Sequence, residues 1–265
     1  MNQVIHWDCL EEMKNIADKS VDLTVTSPPY DNLRTYNGYT FDFEWIAKEL
    51  FRVTKQGGVV VWVVGDSTKQ FQESLTSFRQ AIYFTEIGFW LLDTMIYYKQ
   101  NYAPAYPTLR RYANQYEYMF VFSKGKPKTF NPIQKIKIRN KEEKVAYRQR
   151  DGSLIRKNKE IGRETKDASN VWEFAVGGNK INHPAIFPEK LAEDHILSWS
   201  NEGDTVLDPF AWSGTTLKMA KKNNRNYIGI EISEEYIDII NTRLNPPNVW
   251  TPPEQKKTIN EGSLI

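Results

Sequence analysis

Between residues 21 and 26 apolar Val21, Leu23 and Val25 alternate with Asp22 and Thr24. A period of two of this kind predicts a buried strand. Val4 to Trp7 is read as a shorter strand before it, and Leu10 to Ile16 as the helix between them. From Phe43 to Val53 the apolar spacing turns helical, with Trp45, Leu50 and Val53 on the apolar side. Gly57-Gly58 then opens a β-branched run ending at Val64, the pattern of a central strand buried on both faces. A helix over Leu75 to Ile87 follows, then two strand-like runs, "FWLLDTMIYYK" and "YEYMFVFSKG", expected as an antiparallel pair at the sheet edge.

Periodicity disappears from Lys124 to Asn170 and resumes at "NVWEFAVGG" and "HPAIFPEKLAEDHILSWS", with a helix from Pro188. The remainder reads as strand Thr205 to Leu207, a loop, a helix from near Thr215, strand Tyr227 to Ile230 ending at Glu231, and a last helix. Strands alternating with helices around an apolar central strand imply an α/β fold, a doubly wound and mostly parallel sheet. The expected division is 1–123 as the first part of the core, 124–170 as an insert, 171–245 as the second part of the same core, and 246–265 as a proline-containing tail that packs poorly.

Composition narrows the class. A chain of 265 residues makes one large domain or one domain carrying an insert. One cysteine, Cys9, excludes an internal disulfide framework, and His6, His183 and His195 lack metal-ligand spacing, so no metal centre is expected. The start, "MNQVIHWDCLEEMK", has neither the basic flank nor the apolar stretch of a signal peptide. The longest apolar run, Val59 to Val64, is too short to span a bilayer, so a soluble cytoplasmic protein is expected. Eight Trp, fourteen Tyr and thirteen Phe exceed what a core of this size needs, which points some of them at a ligand or partner.

Charge is uneven. Lys124 to Asn170 holds fifteen Lys and Arg against six Asp and Glu, a net of +9 in a chain whose total is +2. That asymmetry suits a nucleic-acid-facing module on a mildly acidic body, although a solvated loop has the same composition.

Two short stretches carry candidate chemistry. The first is Ser27-Pro28-Pro29-Tyr30, a rigid corner at the carboxyl end of the Val21 strand. Each proline fixes φ and biases the residue before it toward an extended shape, so the carbonyls of the corner are aimed. The second is Asp208-Pro209-Phe210-Ala211-Trp212-Ser213-Gly214-Thr215-Thr216, between a strand and a helix. Small residues there let the backbone approach a ligand and present amides at a helix start. Glu231 follows about twenty residues after the loop, where nucleoside-binding α/β sites place a ribose-binding acid. No Gly-Lys-Ser/Thr closes the loop, so it is not a P-loop.

Taken in order, "TSPPY", "HPAIFPEKL" and "LDPFAWSGTT…YIGIEISEEYI" resemble the β group of amino-directed DNA methyltransferases, over roughly Val4 to Leu244. The resemblance implies a class I methyltransferase fold of Rossmann type and S-adenosylmethionine as cofactor. It also implies double-stranded DNA as partner, with a homodimer left open, and a place among restriction-modification enzymes. Ser27, Pro28, Pro29 and Tyr30 would be catalytic. The Ser27 side chain and the Pro28 carbonyl would accept hydrogen bonds from an exocyclic amine, and Tyr30 would stack on a flipped base. Asp208, Phe210, Ser213, Gly214, Thr215 and Glu231 would hold the cofactor, with His183 and Pro184 near its methionine end. Asp8 would lie near its adenine, a role that competes with capping the helix from Leu10. In the family, Ser at the first motif position favours cytosine N4, with adenine N6 as the alternative. A DNA-binding module without catalysis is the reading from another class. Phosphate and base contacts are expected from Arg34, Arg110, Arg111, Lys135, Lys137, Arg139, Arg148 and Arg150. The chain departs from the family at Trp212, where glycine is usual, and the indole is expected to turn outward.

Overall fold

The computed structural model describes residues 2–29, 41–101, 110–136, 144–158, 165–175 and 188–246. Strand β1 (Gln3–His6) leads to helix α1 (Cys9–Glu12), then β2 (Val21–Thr26), α2 (Phe43–Val53) and β3 (Thr54–Val64). A small hairpin, β4 (Thr68–Lys69) with β5 (Gln72–Glu73), precedes α3 (Thr76–Glu86), β6 (Trp90–Lys99) and β7 (Tyr116–Ser123). Strands β8 (Gln134–Ile136), β9 (Lys144–Arg148), β10 (Leu154–Asn158) and β11 (Thr165–Asp167) lie in the basic segment. Next come β12 (Val171–Phe174), α4 (Glu189–Trp199), β13 (Thr205–Asp208), α5 (Thr215–Lys222), β14 (Asn226–Glu231) and α6 (Glu234–Leu244).

Eight strands form one sheet in the order β1-β14-β13-β2-β3-β7-β6-β12. Neighbours run parallel except where β7 is a partner. The β3 side chains show why its sequence is continuously apolar: Val59, Val61 and Val63 face the layer of α4, α5 and α6, while Val60, Trp62 and Val64 face α2 and α3. Helix α2 starts where Asp42 accepts a hydrogen bond from the Trp45 amide at 3.0 Å. Its buried face is Ile46, Ala47, Leu50 and Val53, with Trp45 half-buried at the flank. Leu50 is fully buried, so truncating it to Ala costs about 2–5 kcal/mol.

The alternation read from Val21 to Val25 is broken by a register shift between Val21 and Leu23. The Asp22 carboxylate there accepts from the Lys55 ammonium at 2.6 Å and the Thr205 amide at 2.9 Å. Val21 therefore joins the α2 layer while Leu23 and Val25 join the opposite one.

Two expectations are corrected. Strands β6 and β7 do pair antiparallel, but inside the sheet, because β12 adds in parallel to β6 and takes the edge. Burial of Trp172 against His195, with ring centroids 4.6 Å apart, holds that short strand in place. The first helix is also shorter than read, ending at Glu12 in a 3-10 turn over Met13–Asn15. The basic segment stays outside the main sheet and forms two antiparallel ribbons, β9 with β10 and β8 with β11. Before them, Phe130 packs on Trp199 at 4.7 Å and Asn131 bonds to the last turn of α4, so the segment begins against the core.

From β2 the chain proceeds to β3 on one side, and from β13 it proceeds to β14 on the other. The adjacent carboxyl ends of β2 and β13 therefore mark the switch point of the sheet, where open α/β folds place ligands.

Candidate active site

Both sequence motifs arrive at this switch point. Strand β2 ends at Thr26 and runs into Ser27-Pro28-Pro29, with Pro28 buried and its neighbours half-buried. Thr26 Oγ1 donates to Asp208 Oδ1 across 2.7 Å, which joins the ends of β2 and β13 directly. Asp208 also accepts from the Phe210 amide at 3.2 Å, and Thr216 Oγ1 donates to the Val25 carbonyl at 3.1 Å. Burial pushes the Asp208 carboxyl up to about 7, against the hydrogen bonds from Thr26 and the Phe210 amide, which favour its charged form.

The loop from Asp208 bends sharply at two positions. Gly214 has φ +74°, and a Cβ there would lie 3.0 Å from Ile240 Cγ1, so only glycine lets the loop rest on α6. Trp212 has φ +49°, a left-handed conformation that favours glycine. The expectation that its indole turns outward is wrong. The positive φ directs the half-buried ring back across the loop, where Nε1 donates to the Ser27 carbonyl at 3.0 Å.

Glu231, at the end of β14, lies against the same loop. Its Oε2 accepts from the Trp212 amide at 2.8 Å and its Oε1 from the Ser233 amide at 2.9 Å. Burial raises its pKa while those amides oppose the rise. Each carboxylate oxygen has a second lone pair, so this geometry retains capacity for a vicinal diol. A buried acid beside a glycine-bearing loop at a switch point fits the ribose and adjoining groups of a nucleoside cofactor.

Behind the loop stands a group that sequence reasoning missed. Arg243, on α6, donates through Nη1 to the Ser213 carbonyl at 2.5 Å, Ser213 Oγ at 2.7 Å and Thr215 Oγ1 at 3.1 Å. Its Nη2 donates to Glu189 at 2.8 Å, and Lys218 reaches the same carboxylate at 2.7 Å. Burial alone would push the Glu189 carboxyl up, but Lys218 and Arg243 outweigh it and hold the group below the usual range. The Ser213 and Thr215 side chains thus face Arg243. No local pattern marks such a clamp, since the partners of Arg243 come from two other helices and a loop.

The other candidate residues divide by location. Asp8 caps α1, accepting from the Leu10 amide at 2.9 Å, and the preceding Trp7 amide donates to the Glu231 carbonyl at 3.1 Å. Phe210 packs against Phe41 and Trp62, with centroids at 5.6 and 6.4 Å. Burial pushes the Cys9 thiol up to about 12, which removes it as a nucleophile. Arg111 is engaged with Thr68 and, at 2.6 Å, with Glu73, so it braces the β4–β5 hairpin. Arg110, Lys135, Arg148 and Arg150 are exposed. Tyr30, Arg34, Lys137, Arg139, His183 and Pro184 lie outside the described residues. Among the described residues no cluster of metal-ligating side chains occurs, and no helix is long and apolar enough to cross a membrane.

The chain is similar to known proteins in sequence and in fold. The model of a DNA methylase family, the N6/N4 methyltransferases, matches residues 21–242. The orphan methyltransferase M.BamHII of Bacillus amyloliquefaciens is 56% identical over 243 residues, covering 87% of this chain and 91% of that protein. The type II methyltransferase M.HpaI of Haemophilus parainfluenzae is 31% identical over 258 residues, covering 92% and 74%. Among solved structures, the cytosine-N4-specific PvuII DNA methyltransferase superposes with a TM-score of 0.70 at 19% identity, covering 94% of this chain and 88% of that one. The complex of M1.HpyAVI with S-adenosylmethionine superposes with a TM-score of 0.59 at 27% identity, covering 92% and 100%. The family match begins at the first residue of β2 and ends within α6, so it spans both halves of the site, and the chain belongs to the N6/N4 DNA methylase family.

Proposed function

We propose that this protein moves a methyl group from S-adenosylmethionine to the exocyclic amine of a flipped base in double-stranded DNA, with cytosine N4 as the target and adenine N6 as the alternative. The observation that carries the reading is the Thr26–Asp208 hydrogen bond at 2.7 Å, which sets the Ser27-Pro28 corner beside the Asp208–Thr215 loop and Glu231.

When bound, the cofactor supplies an electrophilic methyl group. Glu231 would accept from its ribose, and the Ser213-Gly214-Thr215 turn, whose Ser213 and Thr215 side chains Arg243 holds, would line the cofactor. His183, Pro184 and Asp8 complete the cofactor site in this reading. An exocyclic amine conjugated to its ring is a weak nucleophile because its lone pair is delocalised. The Ser27 side chain and the Pro28 carbonyl accept its N–H groups and draw the nitrogen toward tetrahedral geometry. These acceptors are effective because the prolines fix them in advance. Tyr30 stacks on the extruded base. Ser27, rather than an aspartate, favours cytosine. The exposed Lys135, Arg148 and Arg150, on or between strands of the ribbons, meet DNA phosphates.

Transfer of a labelled methyl group to mixed-sequence DNA tests the reading. Wild-type protein is expected to transfer it, and Ser27→Ala and Tyr30→Ala to lose most of the signal. Absence of transfer by folded wild-type protein with cofactor present overturns the proposal.

A further inference from the structure

One side chain touches both halves of the site. The Trp212 amide donates to Glu231 Oε2 at 2.8 Å, and its indole Nε1 donates to the Ser27 carbonyl at 3.0 Å. The residue makes both contacts from a left-handed backbone, φ +49°, a conformation that strains a non-glycine residue. A glycine in the same conformation is unstrained and keeps the amide contact, but it has no donor that reaches Ser27.

The position of the accepted bond matters. The Ser27 carbonyl belongs to the peptide plane that leads into Pro28. Fixing that oxygen fixes the plane, and with it the direction of the two groups proposed to hold the amine, the Ser27 side chain on one side and the Pro28 carbonyl on the other. Misplacement by about 1 Å in such an arrangement is enough to cost on the order of a hundredfold in rate.

We infer that Trp212 is a positioning residue for methyl transfer, linking the cofactor acid Glu231 to the catalytic corner through one backbone and one side-chain hydrogen bond. The inference rests on the methyltransferase reading above. It makes the geometry of the corner depend on the loop that carries Trp212.

Two variants test it in the intact protein. Trp212→Phe keeps an aromatic ring and the amide but removes the indole N–H. Trp212→Gly removes the side chain, keeps the amide and relieves the backbone. Melting temperature, S-adenosylmethionine affinity by calorimetry, and single-turnover methyl transfer at saturating cofactor and DNA are measured on each. For Trp212→Phe the expected result is cofactor affinity within about threefold of wild type and a transfer rate lowered about tenfold, equivalent to about 1.4 kcal/mol. Trp212→Gly is expected to lose as much rate while its melting temperature holds or rises. That combination separates positioning from a merely structural role, because rate and stability move apart. Wild-type transfer rates in both variants at saturation overturn the inference and leave the methyltransferase reading intact. Failure of the wild-type protein itself to transfer methyl overturns the reading, and the inference with it.

Discussion

Thr26 Oγ1 and Asp208 Oδ1, separated by 182 residues in sequence, meet at 2.7 Å in the buried seam between β2 and β13. This bond sets the relative height of the Ser27-Pro28 corner and the loop that follows Asp208. Thr26→Val preserves shape and removes the donor, leaving a buried carboxyl short of a partner. The expected loss is about 1–3 kcal/mol in urea unfolding. An unchanged unfolding midpoint would show that the contact does not support the seam.

The Asp208 carboxyl is itself a source of pH dependence. Its folded pKa, about 7, lies above the ordinary 3.8, so its contribution to stability is full below about 4 and is lost as pH rises through about 7. Within that window the slope is about 1.4 kcal/mol per pH unit. Asp208→Asn keeps an acceptor for Thr26 and cannot ionise. The difference in unfolding free energy between wild type and Asp208→Asn is therefore expected to shift against wild type from pH 5 to pH 8. A difference that stays flat over that range contradicts the assignment.

His195 acts in the opposite sense. It is fully buried, with Nε2 3.4 Å from the Met119 sulfur and its ring against Trp172, and burial drives its pKa down to about 3. A lowered folded pKa contributes stability above the unfolded value of 6.5 that is lost as pH falls toward about 3. At pH 5 that loss is about 2 kcal/mol relative to neutral pH. His195→Leu is expected to abolish this acid sensitivity in denaturant titrations at pH 5 and 7.5. Equal acid sensitivity in the variant would place the cause elsewhere.

The Arg243 clamp predicts a binding phenotype. Arg243→Met frees Ser213 and Thr215 while Lys218 still neutralises Glu189. S-adenosylmethionine affinity is expected to fall about tenfold, or about 1.4 kcal/mol, with little change in transfer rate at saturating cofactor. Arg243→Lys should recover only part of the loss, because one ammonium does not reproduce the forked guanidinium contacts. Full recovery by lysine would reduce the clamp to a simple charge effect.

Much of the fold was legible because burial leaves a period in the sequence. The run from Val59 to Val64 announced a central strand, and Val21 to Thr26 was read to the residue. Edge placement failed because β12 is only four residues long and exposes Val171, too brief a pattern to compete with the longer β6 and β7. The ribbon strands were invisible for a different reason: Tyr147 and Leu154 are exposed, so no apolar face is repeated along them. At the candidate site, Asp208 and Glu231 are the last residues of their strands and Ser27 follows directly on one, positions that the pattern of apolar runs exposes. Arg243 was missed because its links to Ser213 and Glu189 span 30 and 54 residues. Trp212 stands out in the sequence as a departure, but the direction of its ring depends on a contact with Ser27, 185 residues away in the chain.

The most direct measurement is the identity of the methylated nucleoside. DNA incubated with the protein and S-adenosylmethionine is digested to nucleosides and weighed by mass spectrometry, with Ser27→Ala as control. N4-methylcytosine, absent from the control, is the predicted product. N6-methyladenine alone would contradict the base assigned from Ser27, and no methylated nucleoside at all would contradict the function of the corner.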